Sequence, residues 1–230
     1  MIVGDGLIAK SFLKKYDKDN NIIIFASGVS NSEETNADNF KREKDLLTSF
    51  LKTYPKIKFI YISTILIGYK DNPYYNHKEE MEKLISKHSK DYIIFRVPQL
   101  IGNSGNSNNL VNYLVGRIKT GKSFEVYGDI KRAILDVEDL VNLVGYCKDI
   151  ITCEIVNVGG VEPISVIDLS KIIQYFFSVD MENLKINNVG IKEDDSWTSL
   201  SSPIFKEYLT KFKIQSEGYT EKIIRKYIKQ

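Results

Sequence analysis

Along the chain, short unbroken apolar runs alternate with longer stretches in which apolar and polar residues are mixed. Short unbroken apolar runs are typical of strands buried on both faces of a parallel sheet. Stretches with apolar residues three or four positions apart predict helices. In the first 100 residues the apolar runs are MIV, NIIIFA, IKFIYIS and YIIFRV, separated by LIAKSFLKKY, ADNFKREKDLLTSFLKTY and the segment from Pro73 to about His88. The order β-α-β-α-β-α-β predicts an α/β fold with helices on both faces of a parallel sheet.

After Pro98 the pattern loosens, and short strands mix with helices. The predicted strands are FEVYG, the start of AILDVEDLVNLVGYCKD, and EIVNVG. The predicted helices are LVNYLVGRIKTG, the rest of AILDVEDLVNLVGYCKD, SVIDLSKIIQYFF, IFKEYLTKF and TEKIIRKYIKQ. We therefore expect this part to complete the sheet and to add a small lobe.

Charge and composition exclude several classes of protein. The 230 residues suffice for one large domain or for a domain with a lobe. With 32 basic and 30 acidic side chains, the net charge of +2 gives no strong field for nucleic acid or a membrane surface. No apolar run reaches the roughly 18 residues of a membrane span, and no signal peptide is visible at the start. A cytoplasmic protein is therefore expected.

Cysteine and histidine are too few for a disulfide scaffold or a metal site. The chain has Cys147 and Cys153, and its histidines are His77 and His88. Structural zinc needs a cluster of such ligands at close spacing. We expect no metal.

A glycine turn joins the first strand to the first helix. Gly4, Gly6 and Ala9 fit the pattern G-x-G-x-x-G/A, in which the first glycine permits a tight turn and the second lets a pyrophosphate approach the backbone. N–H groups at the helix start would hold the phosphates. A tight turn also takes glycine for steric reasons alone. The second strand ends near Phe25 without the acidic residue that usually holds the adenosine ribose, so that end of a cofactor must be held differently.

The segment NPYYNHKEEMEKL is a predicted helix that places a tyrosine and a lysine on its packed face. Tyr74, Lys78, Met81 and Ile85 follow at i, i+4, i+7 and i+11, so they share one face, and Tyr75 is expected on the wet side. A buried lysine is costly unless it is paired or used. The simpler alternative is that Lys78 reaches the surface along its apolar stem while Tyr74 fills space.

A tyrosine and a lysine so placed can move a proton. An ammonium nearby lowers the pKa of a phenol, which can then exchange a proton with a carbonyl or carbinol oxygen. Ser63 and Thr64 end the preceding strand, and a hydroxyl there could polarise the same oxygen. Carboxyl ends of strands are where α/β sheets place ligands.

These motifs together resemble the short-chain dehydrogenase/reductase superfamily, in particular its extended branch of sugar-nucleotide epimerases, dehydratases and reductases. The residues that carry the resemblance are Gly4-x-Gly6-x-x-Ala9, Ser63-Thr64 and Tyr74-x-x-x-Lys78. The resemblance implies that Tyr74 is the acid/base, and that Lys78 lowers its pKa and holds the nicotinamide ribose. It assigns the catalytic hydroxyl to Thr64.

The resemblance spans nearly the whole chain and implies further ligands. FRVPQLIG resembles the loop whose backbone near Pro98 faces the nicotinamide, and FEVYGDIKRAILDVEDLV resembles the stretch whose arginine, here Arg132, contacts the substrate diphosphate. The implied cofactor residues are Gly4, Gly6, Leu7, Ile8, Ala26, Ser27, Gly28, Lys78 and Pro98, and the implied substrate residues are Ser63, Arg132 and Asn109. The cofactor is NAD or NADP, and a homodimer through the helices near residues 37–53 and 73–88 is implied.

The chain departs from the family in length. Only 58 residues separate Gly6 from Thr64, and NIIIFASGVSNS resembles the family's fourth strand and its loop. We therefore expect a shortened Rossmann-like doubly wound sheet without the family's second and third strands, in the order 1-4-5-6-7. The adenosine pocket would be reduced. The loop SGVSNSEET could supply hydrogen-bond donors to a phosphate or ribose, or could be a plain polar turn.

The expected organisation is a dinucleotide-binding core at 1–125 and, at 126–230, a region that completes the core and forms the substrate lobe. The expected function is an NAD(P)-dependent ketoreductase acting on a nucleotide-linked sugar in surface polysaccharide biosynthesis. Two alternatives stay open: a sugar-nucleotide epimerase with tightly held NAD, and a non-catalytic binding protein that retains the fold.

Overall fold

The computed structural model describes residues 1–103, 110–126, 130–178, 186–188 and 194–228. The helices in these ranges are α1 (Leu7–Tyr16), α2 (Ala37–Thr53), α3 (Pro73–His88), α4 (Leu110–Lys119), α5 (Val137–Cys147), α6 (Val166–Phe177), α7 (Pro203–Lys211) and α8 (Tyr219–Tyr227), with a short 3-10 helix at Ser196–Ser199. The strands are β1 (Ile2–Val3), β2 (Ile22–Phe25), β3 (Lys58–Thr64), β4 (Tyr92–Val97), β5 (Gln99–Ile101), β6 (Phe124–Val126), β7 (Lys131–Arg132), β8 (Ile134–Asp136), β9 (Glu154–Asn157), β10 (Ile164–Ser165) and β11 (Ile186–Asn188). The alternation expected from the sequence is confirmed.

The central sheet has five parallel strands in the order β1-β2-β3-β4-β9. Within the described ranges β1 pairs only with β2, so it forms one edge of the sheet. This is the order expected when the family's second and third strands are missing, and the shortened Rossmann-like fold is confirmed. Every residue of β2 is buried, because helices cover both faces of the sheet.

Two hydrophobic cores lie on opposite faces of the sheet. Side chains alternate between the faces along each strand. On β3, Ile60 and Ile62 belong to the core that contains residues of α1 and α5, whereas Phe59 and Tyr61 belong to the core beneath α2 and α3. The helix pairs α1/α5 and α2/α3 therefore cover different faces.

The first crossover has the opposite hand to the next two. The connections β1–α1–β2, β2–α2–β3 and β3–α3–β4 step across the sheet in the same direction, but α1 lies on the other face from α2 and α3. Since right-handed crossovers are the strong rule, we infer that β1–α1–β2 is left-handed. Two additional strands beyond β1 would restore the usual hand, so this geometry fits a sheet shortened at that edge.

The second part of the chain completes the core and builds smaller strand pairs. It supplies β9 to the central sheet, while β5–β8 and β6–β11 form parallel pairs and β7–β10 an antiparallel pair. Trp197 packs with Ile65 and Ala133, which joins this part to the loop after β3. The boundary between residues 125 and 126 stays a prediction. Of the helices described, none combines the length and apolar character that crossing a bilayer requires.

Candidate active site

The carboxyl edge of the sheet is stepped. Val3 of β1 pairs with Phe25 of β2, and the same level continues to Tyr61 of β3. Beyond that level β3 runs three residues further, to Thr64, with β4 alongside it. At about 3.3 Å per residue, β3 and β4 rise roughly 10 Å above the points where β1 and β2 end. The step forms a notch with the glycine turn at its base.

The notch coincides with a topological switch point. The chain leaves β1 toward α1 on one face and leaves β2 toward α2 on the other. Two neighbouring strand ends whose loops diverge to opposite faces leave a crevice, and open α/β sheets bind ligands there. The left-handed first crossover thus preserves a crevice between β1 and β2 although the sheet is short.

The glycine turn is shaped for a close approach by a ligand. Gly4 has φ +127°, and a Cβ there would lie 2.5 Å from the carbonyl oxygen of Ala26, so the turn packs directly on the end of β2. A Cβ on Gly6 would meet no atom within 4 Å. Gly6 precedes α1 without a side-chain cap and α1 has no acidic residue in its first turn, so its first N–H groups can serve an anion. Ala9 is buried, as close helix–sheet packing requires.

The turn therefore fits the pyrophosphate of a dinucleotide, and the adenosine end has no such fit. Leu7 and Ile8 are half-buried at the start of α1, next to Gly6. No described strand flanks β1 on its outer side, where an adenosine ribose would otherwise be held. The geometry of the turn is consistent with the cofactor residues expected at Gly4, Gly6, Leu7 and Ile8. The reduced adenosine pocket stays a prediction.

The loop after β2 carries a cation that sequence reasoning missed. Arg42 of α2 donates to the hydroxyl of Ser27 at 3.2 Å and to the carbonyl oxygen of Ser27 at 3.0 Å. The guanidinium therefore lies beside the carboxyl end of β2, on the loop formed by Ala26, Ser27 and Gly28. Arg42 is exposed and has further donors that could reach a phosphate.

Helix α3 begins as the sequence predicts. The side chain of Asn72 caps the helix by accepting the N–H of Tyr75, and Pro73 occupies the first turn. Lys78 points inward and is only 3% exposed. The expectation for Tyr75 is wrong, because its side chain is buried and 8% exposed, and Glu82 is also buried. Helix α3 packs against α2 as well as against the sheet, so its buried face is wider than one stripe.

Tyr74 and Lys78 do come together. The Lys78 ammonium lies 5.7 Å from the centre of the Tyr74 ring. Tyr74 is half-buried, and its hydroxyl forms no hydrogen bond with the described residues, whereas its ring packs edge-on against Tyr75. Burial raises the pKa of Tyr74 well above its usual range, and the nearby Tyr75 and Glu43 act in the same direction. The net pKa of Tyr74 is therefore higher than the family resemblance implies, because burial dominates.

Lys78 is held by a buried carboxylate. Glu43 of α2 accepts from the Lys78 ammonium at 3.0 Å, from the Tyr61 hydroxyl at 2.7 Å and from the backbone N–H of Val29 at 2.6 Å. His77 Nε2 lies 3.1 Å from the same carboxylate. Burial opposes the charge on Glu43, but these partners outweigh burial and lower its pKa to about 2. Glu43 is thus ionised.

The two hydroxyls at the end of β3 have different surroundings. The Ser63 hydroxyl is buried and has no hydrogen-bond partner in the described structure. Thr64 is half-buried, and its oxygen accepts the N–H of Leu66 at 3.3 Å. That bond leaves the Thr64 O–H free to donate. Thr64 is the better placed of the two to bind a substrate oxygen.

Three further residues were expected in the site: Pro98, Arg132 and Asn109. Pro98 is buried between β4 and β5, directly after the end of β4 at the carboxyl edge. Arg132 is half-buried on β7, which pairs with β10 through Ile164. Asn109 lies outside the described residues.

Of the residues around Lys78, Glu43 could have been identified from the sequence. Glu43, Leu47 and Leu51 follow at i, i+4 and i+8 on the buried face of α2. An acid on an apolar stripe is costly unless paired, so its position suggests a buried cation. Tyr61 and His77 gave no comparable signal.

A separate cleft of about 350 Å³ lies at the opposite edge of the sheet, at the amino ends of β2 and β3. It is lined by Asn20, Asn21, Ile22, Lys56, Ile57, Lys58, Asp91, Lys148 and Asp149. These residues lie at the amino ends of the strands, whereas Tyr74 follows the carboxyl end of β3. Ligands of open α/β sheets bind at the carboxyl ends. The cleft is therefore not part of the candidate site.

Comparison with known proteins agrees with the fold. Residues 22–159, more than half of the chain, match the model of the NAD dependent epimerase/dehydratase family. The match begins at the first residue of β2, so the glycine turn precedes it. No curated protein sequence matches the chain.

Several solved structures are similar. A dTDP-4-dehydrorhamnose reductase ortholog from Clostridium acetobutylicum superposes with a TM-score of 0.70 at 17% identity, covering 99% of this chain and 97% of that one. A dTDP-glucose 4,6-dehydratase from Bacillus anthracis in complex with NAD gives 0.68 at 16% identity, covering 96% and 77%. A UDP-glucose 4-epimerase from Thermus thermophilus in complex with NAD gives 0.67 at 13%, covering 94% and 79%. At these identities the likeness establishes the fold.

Proposed function

Because the chain belongs to the NAD-dependent epimerase/dehydratase family, we propose that it is an NAD(P)-dependent oxidoreductase that reduces a keto group on a nucleotide-linked sugar. The expected cofactor, NAD or NADP, agrees with the NAD dependence of the family. The proposed biological setting is surface polysaccharide biosynthesis.

One observation carries the proposal. The Tyr74 hydroxyl has no hydrogen bond within the described structure, although its ring lies beside the Lys78 ammonium. Helix α3 carries it and begins nine residues after Thr64, at the carboxyl edge that also holds Gly6. A phenol without such a bond, on a helix that begins at this edge, is suited to proton transfer.

The pKa of Tyr74 favours the reductive direction. Since burial raises this pKa, the phenol is protonated at neutral pH. When bound, a reduced nicotinamide would supply the hydride that the carbonyl carbon receives. Tyr74 gives its proton to the carbonyl oxygen, and the product is an alcohol with the phenolate left on the enzyme. Thr64 donates a hydrogen bond to the same oxygen, which stabilises the developing negative charge. An enzyme that begins by oxidising its substrate needs the phenolate first.

The shortened sheet also favours reduction over epimerisation. An epimerase must keep its cofactor through an oxidation and a reduction, and the missing strands beyond β1 remove part of the surface for the adenosine end. The similar reductase is covered over 97% of its length, compared with 77% of the dehydratase and 79% of the epimerase. Both observations support a compact reductase.

For the substrate we propose that Arg132 binds the diphosphate, since a guanidinium forks onto phosphate oxygens. Ser63 and Asn109 are proposed as further substrate residues. We also propose a homodimer through the outer faces of α2 and α3, where Lys44 and Glu80 already join the two helices at 2.6 Å. Sedimentation measurements would test the dimer.

The test is a titration of the purified protein with NADH and with NADPH, followed by dTDP- and UDP-linked keto-sugars. Loss of reduced nicotinamide in proportion to keto-sugar is the expected result. Sugar interconversion with co-purified NAD and no net consumption would instead identify an epimerase. A protein that binds neither dinucleotide nor nucleotide sugar would overturn the proposal and favour a non-catalytic role.

A further inference from the structure

Glu43 connects several elements through hydrogen bonds, and the proposed reaction assigns it no role. Its carboxylate is fully buried, and it receives hydrogen bonds from three other elements: Tyr61 on β3, Lys78 on α3 and the backbone of Val29 in the loop after β2. Since an ionised carboxylate only accepts, His77 must carry a proton on Nε2 to bond it. One side chain thus joins the candidate cofactor loop to the candidate catalytic lysine.

Lys78 depends on this carboxylate for its charge. Its ammonium is enclosed by protein, and burial lowers its pKa, while the Glu43 carboxylate opposes that change. The charged and titratable groups around it are Glu43 and Arg42 on α2, Tyr61 on β3, and Tyr74, His77 and Glu82 on α3. Of these, Glu43 is the anion in direct contact, because the Glu82 carboxylate is engaged by Arg96. Without Glu43, the desolvated amine would release its proton at lower pH.

The positive charge of Lys78 matters because the proposed reaction takes its proton from Tyr74, next to Lys78. When Tyr74 donates its proton, it becomes a phenolate, and burial opposes that charge. A cation 5.7 Å from the ring centre stabilises that phenolate. A neutral lysine would not.

We propose that Glu43 is a positioning residue: it keeps Lys78 as a fixed ammonium beside Tyr74 and ties it to the loop after β2 through the backbone N–H of Val29. The inference rests on the proposed reductase function. It assigns to Glu43 a role through Lys78, with no contact to substrate or cofactor.

Glu43→Gln tests the proposal, and Glu82→Gln is the matched control. Both variants neutralise a buried carboxylate that pairs with a cation, but Arg96 cannot lose its proton whereas Lys78 can. For the reductase reaction, the alkaline limb of the pH–rate profile of Glu43→Gln should move to lower pH by about one unit or more. The profile of Glu82→Gln should keep the wild-type shape. Equal profiles for the two variants would overturn the proposal.

A second measurement needs no enzymatic activity. In Glu43→Gln the pKa of Lys78 in the folded protein should fall further below that of the unfolded chain, so the unfolded chain binds more protons between these two values. Stability must then rise with pH across that range, more steeply in Glu43→Gln than in Glu82→Gln. If the wild type reduces none of the sugars, the proposed function fails, and these slopes still decide whether Glu43 controls the Lys78 proton. Equal slopes would show that it does not.

A double variant covers the case in which Glu43→Gln folds poorly. Lys78→Met alone leaves a buried carboxylate without the Lys78 cation and should lower Tm by on the order of 10 °C. Adding Glu43→Gln removes both charges and should recover part of that loss. Additive losses in the two single variants and the double variant would contradict a direct dependence of one charge on the other.

Discussion

Gly28 lies directly over the Lys78 ammonium: a Cβ at Gly28 would stand 2.5 Å from the lysine Nζ and 2.9 Å from Glu43 Oε1. The loop after β2 therefore closes on the ion pair, and only a residue without a side chain allows it. This contact joins the notch in which we place the cofactor to the residues on α3.

The contact predicts the effect of Gly28→Ala. The methyl group must displace two buried charged atoms, so the variant should lose about 1–3 kcal/mol of unfolding free energy. Gly116→Ala is the control, because a Cβ there meets no atom within 4 Å and alanine suits a helix. Denaturant unfolding of both variants measures the difference. A Gly28→Ala protein as stable as the wild type would show that Lys78 and Glu43 move apart easily.

The two glycines of the first turn should respond differently to alanine. At Gly6 the added methyl group enters open space at an ordinary φ of −75°, so folding should be unaffected. It would occupy the place proposed for a phosphate, and the loss of one hydrogen bond to a charged group costs about 1.5–3 kcal/mol. We therefore expect NAD(P)H to bind roughly tenfold or more weakly, as measured by nicotinamide fluorescence.

Gly4→Ala supplies the contrast. Its methyl group would strike the backbone of Ala26 at a φ that side chains avoid, so this variant should lose stability by about 1–3 kcal/mol. If Gly6→Ala binds the cofactor as tightly as the wild type does, the phosphates do not lie on this turn.

Tyr74→Phe should abolish most of the reduction. Removing a positioned acid costs about 10²- to 10⁴-fold in kcat. Because its hydroxyl forms no hydrogen bond with described residues, stability and cofactor affinity should hardly change. The control is Tyr175→Phe, at a tyrosine that is 77% exposed. Unchanged kcat in Tyr74→Phe, with a measurable wild-type rate, would remove Tyr74 from the mechanism.

Ser63 and Thr64 can be separated by single substitutions. Thr64→Val keeps the shape and removes the O–H that we expect to bind the substrate oxygen, which should lower kcat by about 10²- to 10³-fold. Ser63→Ala removes a buried hydroxyl that has no hydrogen-bond partner among the described residues, so stability should stay equal or increase by about 1 kcal/mol. Steady-state kinetics and thermal unfolding give the two readings. The opposite pattern would move the catalytic hydroxyl to Ser63.

Acid should weaken the protein through Glu43. Its folded-state pKa of about 2 lies below the usual value of 4.5, so the unfolded chain takes up a proton first as the pH falls. The contribution to stability is complete above pH 4.5 and disappears as the pH falls toward 2, and it amounts to about 3 kcal/mol. Unfolding free energies measured over this range should fall less steeply for Glu43→Gln. A Glu43→Gln curve parallel to that of the wild type would mean that Glu43 titrates normally.

Much of the fold was readable from local pattern. The run NIIIFA predicted a strand covered on both faces, and β2 is buried at every residue. The short distance from Gly6 to Thr64 predicted the missing strands, and β1 lies at the edge of the sheet. Helical period brought Tyr74 and Lys78 to one side of α3, where the lysine stands 5.7 Å from the ring. Such inferences succeed because they depend on neighbours a few positions apart.

The errors have a common cause. Tyr75 was expected to be exposed because one helical stripe was assigned to the core, but α3 packs against both α2 and the sheet. The rise in the pKa of Tyr74 was missed because burial of a phenol depends on everything packed around it. Neither property belongs to α3 alone.

The sequence by itself determined the order of strands and helices, the glycine turn and the pairing of a phenol with an amine on one helix, since all of these follow from spacing along the chain. Tertiary structure alone decided that the amine is held by Glu43, 35 residues earlier, beneath a loop that must be glycine at position 28. The physical reason is that the charge of a buried group is set by the atoms that replace its water, and those atoms come from distant parts of the chain.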